Sequence, residues 1–342
     1  MFHVRPVILL LTTTLVPACT GLDPDQAQQE LEYRTSSGGA GGGDDSDWAN
    51  TNGDNGLKSS ALNLLGLEYD GWRLLGVDVR SDGGQMLTLS EIDAEDGVLY
   101  GQDELGAQYS DQDFIGSIWR LEIDPNSFEP PLGGGASWVP WVMVIEEFIP
   151  QGPDSPQNRY VFTNGPTPED VEAFKCDLDL ETKEFSAIVY TDLDVDDDGT
   201  HFEVADTLYI GCISGSVGKA GMWGYPQHDV GLEVHQAATR MVRADYCGHG
   251  VSYTQTGTRL LYQDALGIKT FPENDPVYGP PGNTEAMWTA SGALCLMETR
   301  RPEVGYENVL CNGAPLPMCE GTDMLEDWGA VLWTKASGAA LP

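Results

Sequence analysis

The sequence predicts an α+β domain, rich in antiparallel β-structure, with one prominent helix over residues 229–247 and disulfide bracing. Three observations carry this expectation. Short apolar or alternating segments recur between Gly-, Asp-, Asn- and Pro-rich turns. One longer stretch repeats its apolar residues at helical spacing. Six cysteines follow residue 170 in a chain whose N-terminus reads as an export signal.

The strands come in order. Leu64 to Val79 holds short apolar pieces broken by Gly and Asp. In "SIWRLEID", Ile118, Arg120 and Glu122 alternate with Trp119, Leu121 and Ile123, the period of a half-buried strand. "WVPWVMVIEEF" is apolar but interrupted by Pro140, which has no N–H for a ladder and favours an edge or a break. "SAIVYTDLD" and "DTLYIGC" flank an acidic turn and read as a long hairpin. "TRLLYQD" and "ALCLMET" complete the set. This spacing suits antiparallel sheets rather than repeated βαβ units.

The helix lies in "DVGLEVHQAATRMVRADYCG". Asp229 is placed to cap the first N–H groups. Val234, Ala237, Ala238 and Met241 form one apolar face, and the alanines allow close approach to a sheet. Arg240 and Arg243 suit the negative end of the helix dipole, and Gly248 offers a left-handed stop. A second, shorter helix is expected in "TPEDVEAFK", with Thr167 as cap and Pro168 in the first turn.

Ahead of this domain, "MFHVRPVILLLTTTLVPACTG" has a basic Arg5, an apolar stretch too short to span a bilayer, and small residues before Cys19. Leu15, Val16, Ala18 and Cys19 resemble a bacterial lipobox, with Pro17 an unusual member. Residues 1–18 are thus expected to be a signal peptide. Cys19 is expected to be lipidated, and residues 19–56 to form a flexible Gly/Asp-rich tether too poor in apolar surface to fold. Thr20, where an Asp would favour inner-membrane retention, points to the outer membrane. The partner this implies is the bacterial membrane itself, reached through the N-terminal lipid. Residues 57–342 are left as a single β-rich domain, with a core at about 160–301.

The formal charge is −37, from 17 Lys+Arg against 54 Asp+Glu. Such a field repels phosphate backbones, so nucleic acid is excluded as a partner. No C-x-x-C pair occurs, which argues against structural zinc, and no cofactor other than Ca2+ is expected. The turn "DLDVDDDGT" places Asp194, Asp196 and Asp198 before Gly199, like the first half of a calcium loop. Ala205 stands where an EF-hand requires Glu. A carbohydrate platform built on tryptophans such as Trp138 and Trp141 is a further reading.

Cys247 with His249 two places on looks like a nucleophile with its base, and His235 and Asp245 lie close by. A thiol at a helix C-terminus is disfavoured as a thiolate, however, and an exported chain favours bridging it. Asp245 is expected to bond a turn or to pair with an arginine such as Arg240, and Tyr246 to pack beneath it. "GSVGK" at Gly215–Lys219 lacks the Ser/Thr and the upstream glycine of a phosphate loop.

"MWGYPQHDVGLEVHQAATRMVRADYCGHGVSYTQTGTRLLYQDALGI" resembles the core of the ADYC-domain family, exported bacterial proteins named for the run at Ala244–Cys247. The resemblance extends loosely from about Leu64 to Arg301 and implies no activity. Where relatives often carry cysteines this chain has Ala220 and Ala238, so the resemblance implies that both halves of one bridge are missing together.

Two functions are expected to compete: an anchored envelope protein with a structural or binding role, and an exported hydrolase using His235, Asp245 and His249. Cys176, Cys212, Cys247, Cys295, Cys311 and Cys319 allow fifteen connectivities. The expected set is Cys247–Cys295, Cys176–Cys212 and Cys311–Cys319, with the first locking the helix end to a strand.

Overall fold

The computed structural model describes residues 61–336, except 82, 125–137, 153–154, 169, 172, 180, 255–257, 259, 271–283, 302 and 320–328. The expected signal peptide, the expected lipidation site Cys19 and the expected tether lie outside the described residues. The domain is β-rich and antiparallel with a few helices, as the alternation predicts. Eleven strands build the first sheet: β1 (Ala61–Asn63), β2 (Trp72–Arg80), β3 (Met86–Glu95), β4 (Val98–Asp103), β5 (Gln108–Ser110), β6 (Ile118–Ile123), β7 (Val139–Ile149), β8 (Arg159–Gly165), β9 (Ala173–Phe174), β10 (Ser186–Val195) and β11 (His201–Cys212). Their order is β1-β11-β10-β8-β7-β6-β2-β3-β4-β5, with β9 against β8.

The sheet curls on itself. The Thr191 hydroxyl of β10 donates to the Ala94 carbonyl of β3, and the Leu99 N–H of β4 donates to the Tyr160 hydroxyl of β8 at 2.9 Å. Inside the curl, Trp119, Phe162, Ile145, Leu99, Val189 and Leu208 form the first core. Pro140 sits where β7 pairs only with β6, because the β8 ladder begins at Val142. Its missing N–H therefore costs no ladder bond on that side.

Three helices follow: α1 (Ser216–Met222), α2 (Gln227–Val230) and α3 (Leu232–Arg243). A second sheet, ordered β12-β17-β13-β14, comprises β12 (Leu260–Asp264), β13 (Ala286–Thr289), β14 (Gly292–Leu296) and β17 (Leu332–Ala336). A small ribbon joins β15 (Leu310–Cys311) to β16 (Ala314–Pro315). The predicted face of α3 is the one it buries. Ala237, Ala238 and Met241 meet Trp288, Leu260 and Leu296 in a second core, with Val234 at its margin. Ala220 of α1 and Ala238 of α3 both belong to that core.

Two expectations about helices are corrected. The prominent helix does not start at Asp229 or reach residue 247. Gly231, at φ +79°, separates the one-turn α2 from α3, and Ala244, at φ +54°, ends α3 in a left-handed cap whose N–H bonds the Arg240 and Met241 carbonyls. The second expected helix, across Thr167 to Lys175, is absent. Thr167 and Asp170 form a turn, and Ala173–Phe174 pairs with the free edge of β8 instead. An open strand edge with unpaired backbone groups outweighed a weak helical propensity.

Candidate functional site: the clasp at the end of α3

After Ala244 the chain turns, and the next three side chains go to three different partners. Asp245 is fully buried and pairs with Arg240 at 2.6 Å. It also accepts the His249 and Gly250 N–H groups, at 3.2 and 2.9 Å. Arg240 carries the link outward. Its guanidinium donates to the Ala290 carbonyl at 2.6 Å, to the Asp198 carbonyl at 3.1 Å and to the Thr200 hydroxyl at 3.1 Å. One expected ion pair thus joins α3, the turn after it, the β13–β14 turn and the tip of the β10–β11 hairpin.

Tyr246 points the other way. Its hydroxyl donates to Glu285 at 2.8 Å, and its ring stacks on Trp288 with centroids 5.4 Å apart. Burial first, and the Glu285 charge second, push the phenol well above its ordinary pKa, so it is a donor and not a phenolate. Glu285 in turn receives the Arg300 guanidinium at 2.7 Å. Arg300 also donates to the Val242 and Met241 carbonyls, at 2.9 and 2.6 Å. These are last-turn carbonyls of α3, where helices lack intrahelical donors. Arg300 therefore neutralises a buried acid and caps a helix at once. Neither Glu285 nor Arg300 was singled out from sequence. The only signal is a charged residue beside the apolar run "AMW", and nothing pairs it with an arginine 15 positions on.

Cys247 is disulfide-bonded, as expected, but to Cys311. Cys295 pairs with Cys319, and Cys176 pairs with Cys212 as predicted. The Cys247–Cys295 and Cys311–Cys319 pairings are thus corrected. The Tyr246 carbonyl bonds the Ala293 N–H at 2.8 Å, so the clasp already sits on β14 through its backbone. The Cys247 side chain is free to reach β15, while Cys295 faces a separate small core containing Cys319, Met287 and Trp333. Gly248 does not stop the helix. It lies beyond the Ala244 cap at φ +68°, where a Cβ would overlap the Ser291 carbonyl. Gly292, at φ +111°, faces it with equally little room.

The proposed hydrolytic set is not assembled. His235 is buried away from the clasp, its Nδ1 against the Tyr225 carbonyl at 2.5 Å and its ring 4.9 Å from that of His201. Asp245 is bonded through Arg240 and backbone N–H groups, and His249 is held by its backbone N–H. No hydrogen bond joins these three side chains among the described residues. In the acidic turn Asp196 and Asp198 lie together, but Asp194 is engaged elsewhere. Asp194 accepts the Tyr69 hydroxyl at 2.6 Å, while Asp196 and Asp198 both receive the Thr200 N–H. Among the described residues no three His, Cys, Asp or Glu side chains come together as a metal-holding group. Trp141 packs on the first core, and the Arg73 guanidinium covers Trp138 at 4.3 Å. Lys219 of "GSVGK" is buried against Asp179 and Glu181.

This clasp contains the run Ala244-Asp245-Tyr246-Cys247, and residues 111–302 match the ADYC domain model. The chain belongs to the ADYC domain family. The matched segment starts just after β5 and ends just after Arg300, so it takes in β6 to β11 of the first sheet, β12 to β14 of the second and the run Ala244–Cys247. No curated protein and no solved structure matches the chain.

Proposed function

We propose that this ADYC protein is an anchored bacterial envelope lipoprotein whose domain serves a structural or binding role and does not catalyse a reaction. In this reading Cys19 carries lipid in the outer membrane, residues 19–56 form the tether, and residues 57–342 stand off the surface. The observation that supports it best is the fate of the ADYC side chains. Asp245, Tyr246 and Cys247 are each committed to an internal partner, so none of these three side chains is offered to a substrate. Charge supports the same reading. Arg159, Lys219, Arg240 and Arg300 are buried with carboxylate partners, so the few cations are drawn inward and the outer surface is more uniformly acidic. Such a surface disfavours nucleic acid and anionic head groups, and suits a domain held clear of the bilayer. Among the described residues no helix is long and apolar enough to cross a membrane.

The test is detergent phase partition of the full chain expressed in a bacterial host, with fatty-acid labelling. Wild type should enter the detergent phase and carry label, and Cys19→Ala should do neither. Equal partition of the two would refute anchoring. Turnover of ester or peptide substrates that His249→Ala abolishes would instead favour the hydrolase.

A further inference from the structure

The β10–β11 hairpin is two ladders, not one. Ala187 to Thr191 pairs with Leu208 to Cys212, the register shifts between Thr191 and Leu193, and Leu193 to Val195 then pairs with His201 to Glu203. At the break, Asp192 and Asp206 both adopt positive φ, +54° and +59°, and the Asp206 N–H bonds the Asp192 carboxylate at 2.9 Å. Non-glycine residues seldom take this conformation, and two of them facing each other mark a joint in the ladder.

The segment beyond the joint rests on α3 through few contacts. Gln236 accepts the His201 N–H at 3.1 Å, and Arg240 holds the Asp198 carbonyl and the Thr200 hydroxyl. Leu193 and Val195 share a small apolar cluster with Leu232 of α3, and His201 lies against His235 with ring centroids 4.9 Å apart. Both side chains are buried. Neither ring nitrogen of His201 has a hydrogen-bond partner, nor has His235 Nε2 or the Thr239 hydroxyl one turn along the helix. The His235 Nδ1 meets the Tyr225 carbonyl, so that nitrogen carries the proton and Nε2 presents a lone pair.

The charges around the pair are unfavourable to a further proton. From α3, Arg240 acts on His201, and its own partner is Asp245. From α2, His228 acts on His235, with Asp229 and Asp96 beside His228 rather than beside the pair. From β10, Tyr190 packs 5.0 Å from His235 and is held neutral by burial. From the hairpin turn, Asp198 offers Arg240 its carbonyl, while its carboxylate receives the Thr200 N–H and is held below the usual carboxylate range by the neighbouring Asp196 side chain.

We propose that the distal half of the β10–β11 hairpin, residues 193–205, is an acid-released flap latched onto α3 by the buried His201–His235 pair. At neutral pH both imidazoles are uncharged and the flap is seated. As pH falls, the released flap binds protons that the seated one refuses. A proton on either ring in the seated state would be a buried cation facing other cations, and the joint at Asp192 and Asp206 lets the flap leave while the proximal ladder and all three disulfides stay in place. The sign follows from linkage. Burial lowers both histidines, His235 to about 4. The seated state is therefore unaffected above the free-histidine pKa of about 6.5 and is lost progressively as pH falls from there toward 4. For His235 alone, the seated-to-released ratio should fall about 30-fold between pH 7.5 and 5.0.

The experiment is hydrogen exchange with mass spectrometry on the full chain at pH 7.5 and 5.0, corrected for intrinsic exchange. Peptides covering 193–205 and 232–243 should lose protection at pH 5.0 by about 30-fold or more, while β6, β7 and β8 keep theirs. His201→Phe, which keeps the ring stack without a titrating group, combined with His235→Asn should flatten this response. Unchanged wild-type protection at pH 5.0 would overturn the proposal, as would equal acid loss in the double variant. Should the double variant not fold, the histidine resonances of wild type decide the matter. Midpoints near 6.5 for His201 and His235 in the seated protein would overturn the latch, whereas midpoints below 5, accompanied by flap release, bear it out.

Discussion

Arg300→Met should be among the most damaging single changes in this domain. The Arg300 and Glu285 side chains have no exposure to solvent. Methionine keeps much of the aliphatic stem, but it leaves the Glu285 carboxylate buried with only the Tyr246 hydroxyl donating to it. Leaving one charge of a buried pair unpartnered costs about 3–5 kcal/mol. The Met241 and Val242 carbonyls also lose a cationic donor at the end of α3. Including them raises the expected loss to about 4–6 kcal/mol, against a typical domain stability of about 5–15 kcal/mol. Glu285→Gln keeps an acceptor for both Tyr246 and Arg300 and should cost about 1–3 kcal/mol. In Arg300→Met/Glu285→Gln no charge is stranded, so the double variant should be more stable than the sum of the singles by at least about 1 kcal/mol. Urea unfolding with the disulfides intact, followed by near-UV circular dichroism, measures all four corners of the cycle. An Arg300→Met cost below about 1 kcal/mol, or strict additivity, would refute the view that this pair is the electrostatic centre of the clasp.

Further expectations concern the same junction. Cys247→Ser/Cys311→Ser opens a bridge that spans 64 positions, and the chain-entropy model gives a loss of about 4 kcal/mol, read from urea midpoints. Peptide mapping without reduction should recover Cys247 joined to Cys311 and Cys295 joined to Cys319, and a freely alkylated Cys247 would reopen the case for a nucleophile. Gly248→Ala combines positive φ with overlap on the Ser291 carbonyl, and should cost about 2–4 kcal/mol or prevent folding at 37 °C.

How much of this was legible depended on whether the deciding interaction was local. The β10–β11 hairpin was visible because alternation and an acidic turn are local signals, and so was the buried face of α3. The ends of α3 were not. Its left-handed cap falls on Ala244, whose methyl is fully buried in the second core, rather than on a glycine placed for the purpose. Helix α1 was missed because "SVGKAGM" has two glycines and a poor helical propensity. Packing requires them, since a Cβ at Gly218 would overlap the Cys212 carbonyl and one at Gly221 the Tyr190 hydroxyl. Disulfide connectivity failed for a related reason. The choice between Cys295 and Cys311 depends on which side of β14 the turn after Tyr246 presents, and that is set by the Ala293–Tyr246 backbone bond. In the candidate site, Asp245 was legible as a residue that bonds a turn or pairs with an arginine such as Arg240, and it does both, but Glu285 and Arg300 carry no local mark.

The ADYC run is specific because each of its positions solves a different part of one junction problem. A helix that ends between two sheets leaves carbonyls without donors and a chain that must reverse in a dry space. Ala244 makes the reversal with a side chain small enough for the core. Asp245 meets the N–H groups that the reversal exposes, and in doing so fixes Arg240 toward the hairpin. Tyr246 holds Glu285, which holds Arg300 over the helix carbonyls, so the C-terminal end of α3 is satisfied from the segment after β14, 58 positions from Val242 in sequence. Cys247 then fixes the exit covalently. Asp245→Asn would test whether this is geometry alone. Asparagine still offers Arg240 one oxygen, but its NH2 cannot accept, so either the His249 or the Gly250 N–H loses its partner and the charge attraction to Arg240 goes with it. A cost of about 2–4 kcal/mol in urea unfolding is expected. A neutral outcome would mean that the motif's aspartate is held for something outside the fold, and the clasp reading would then give way to a binding role for Asp245 itself.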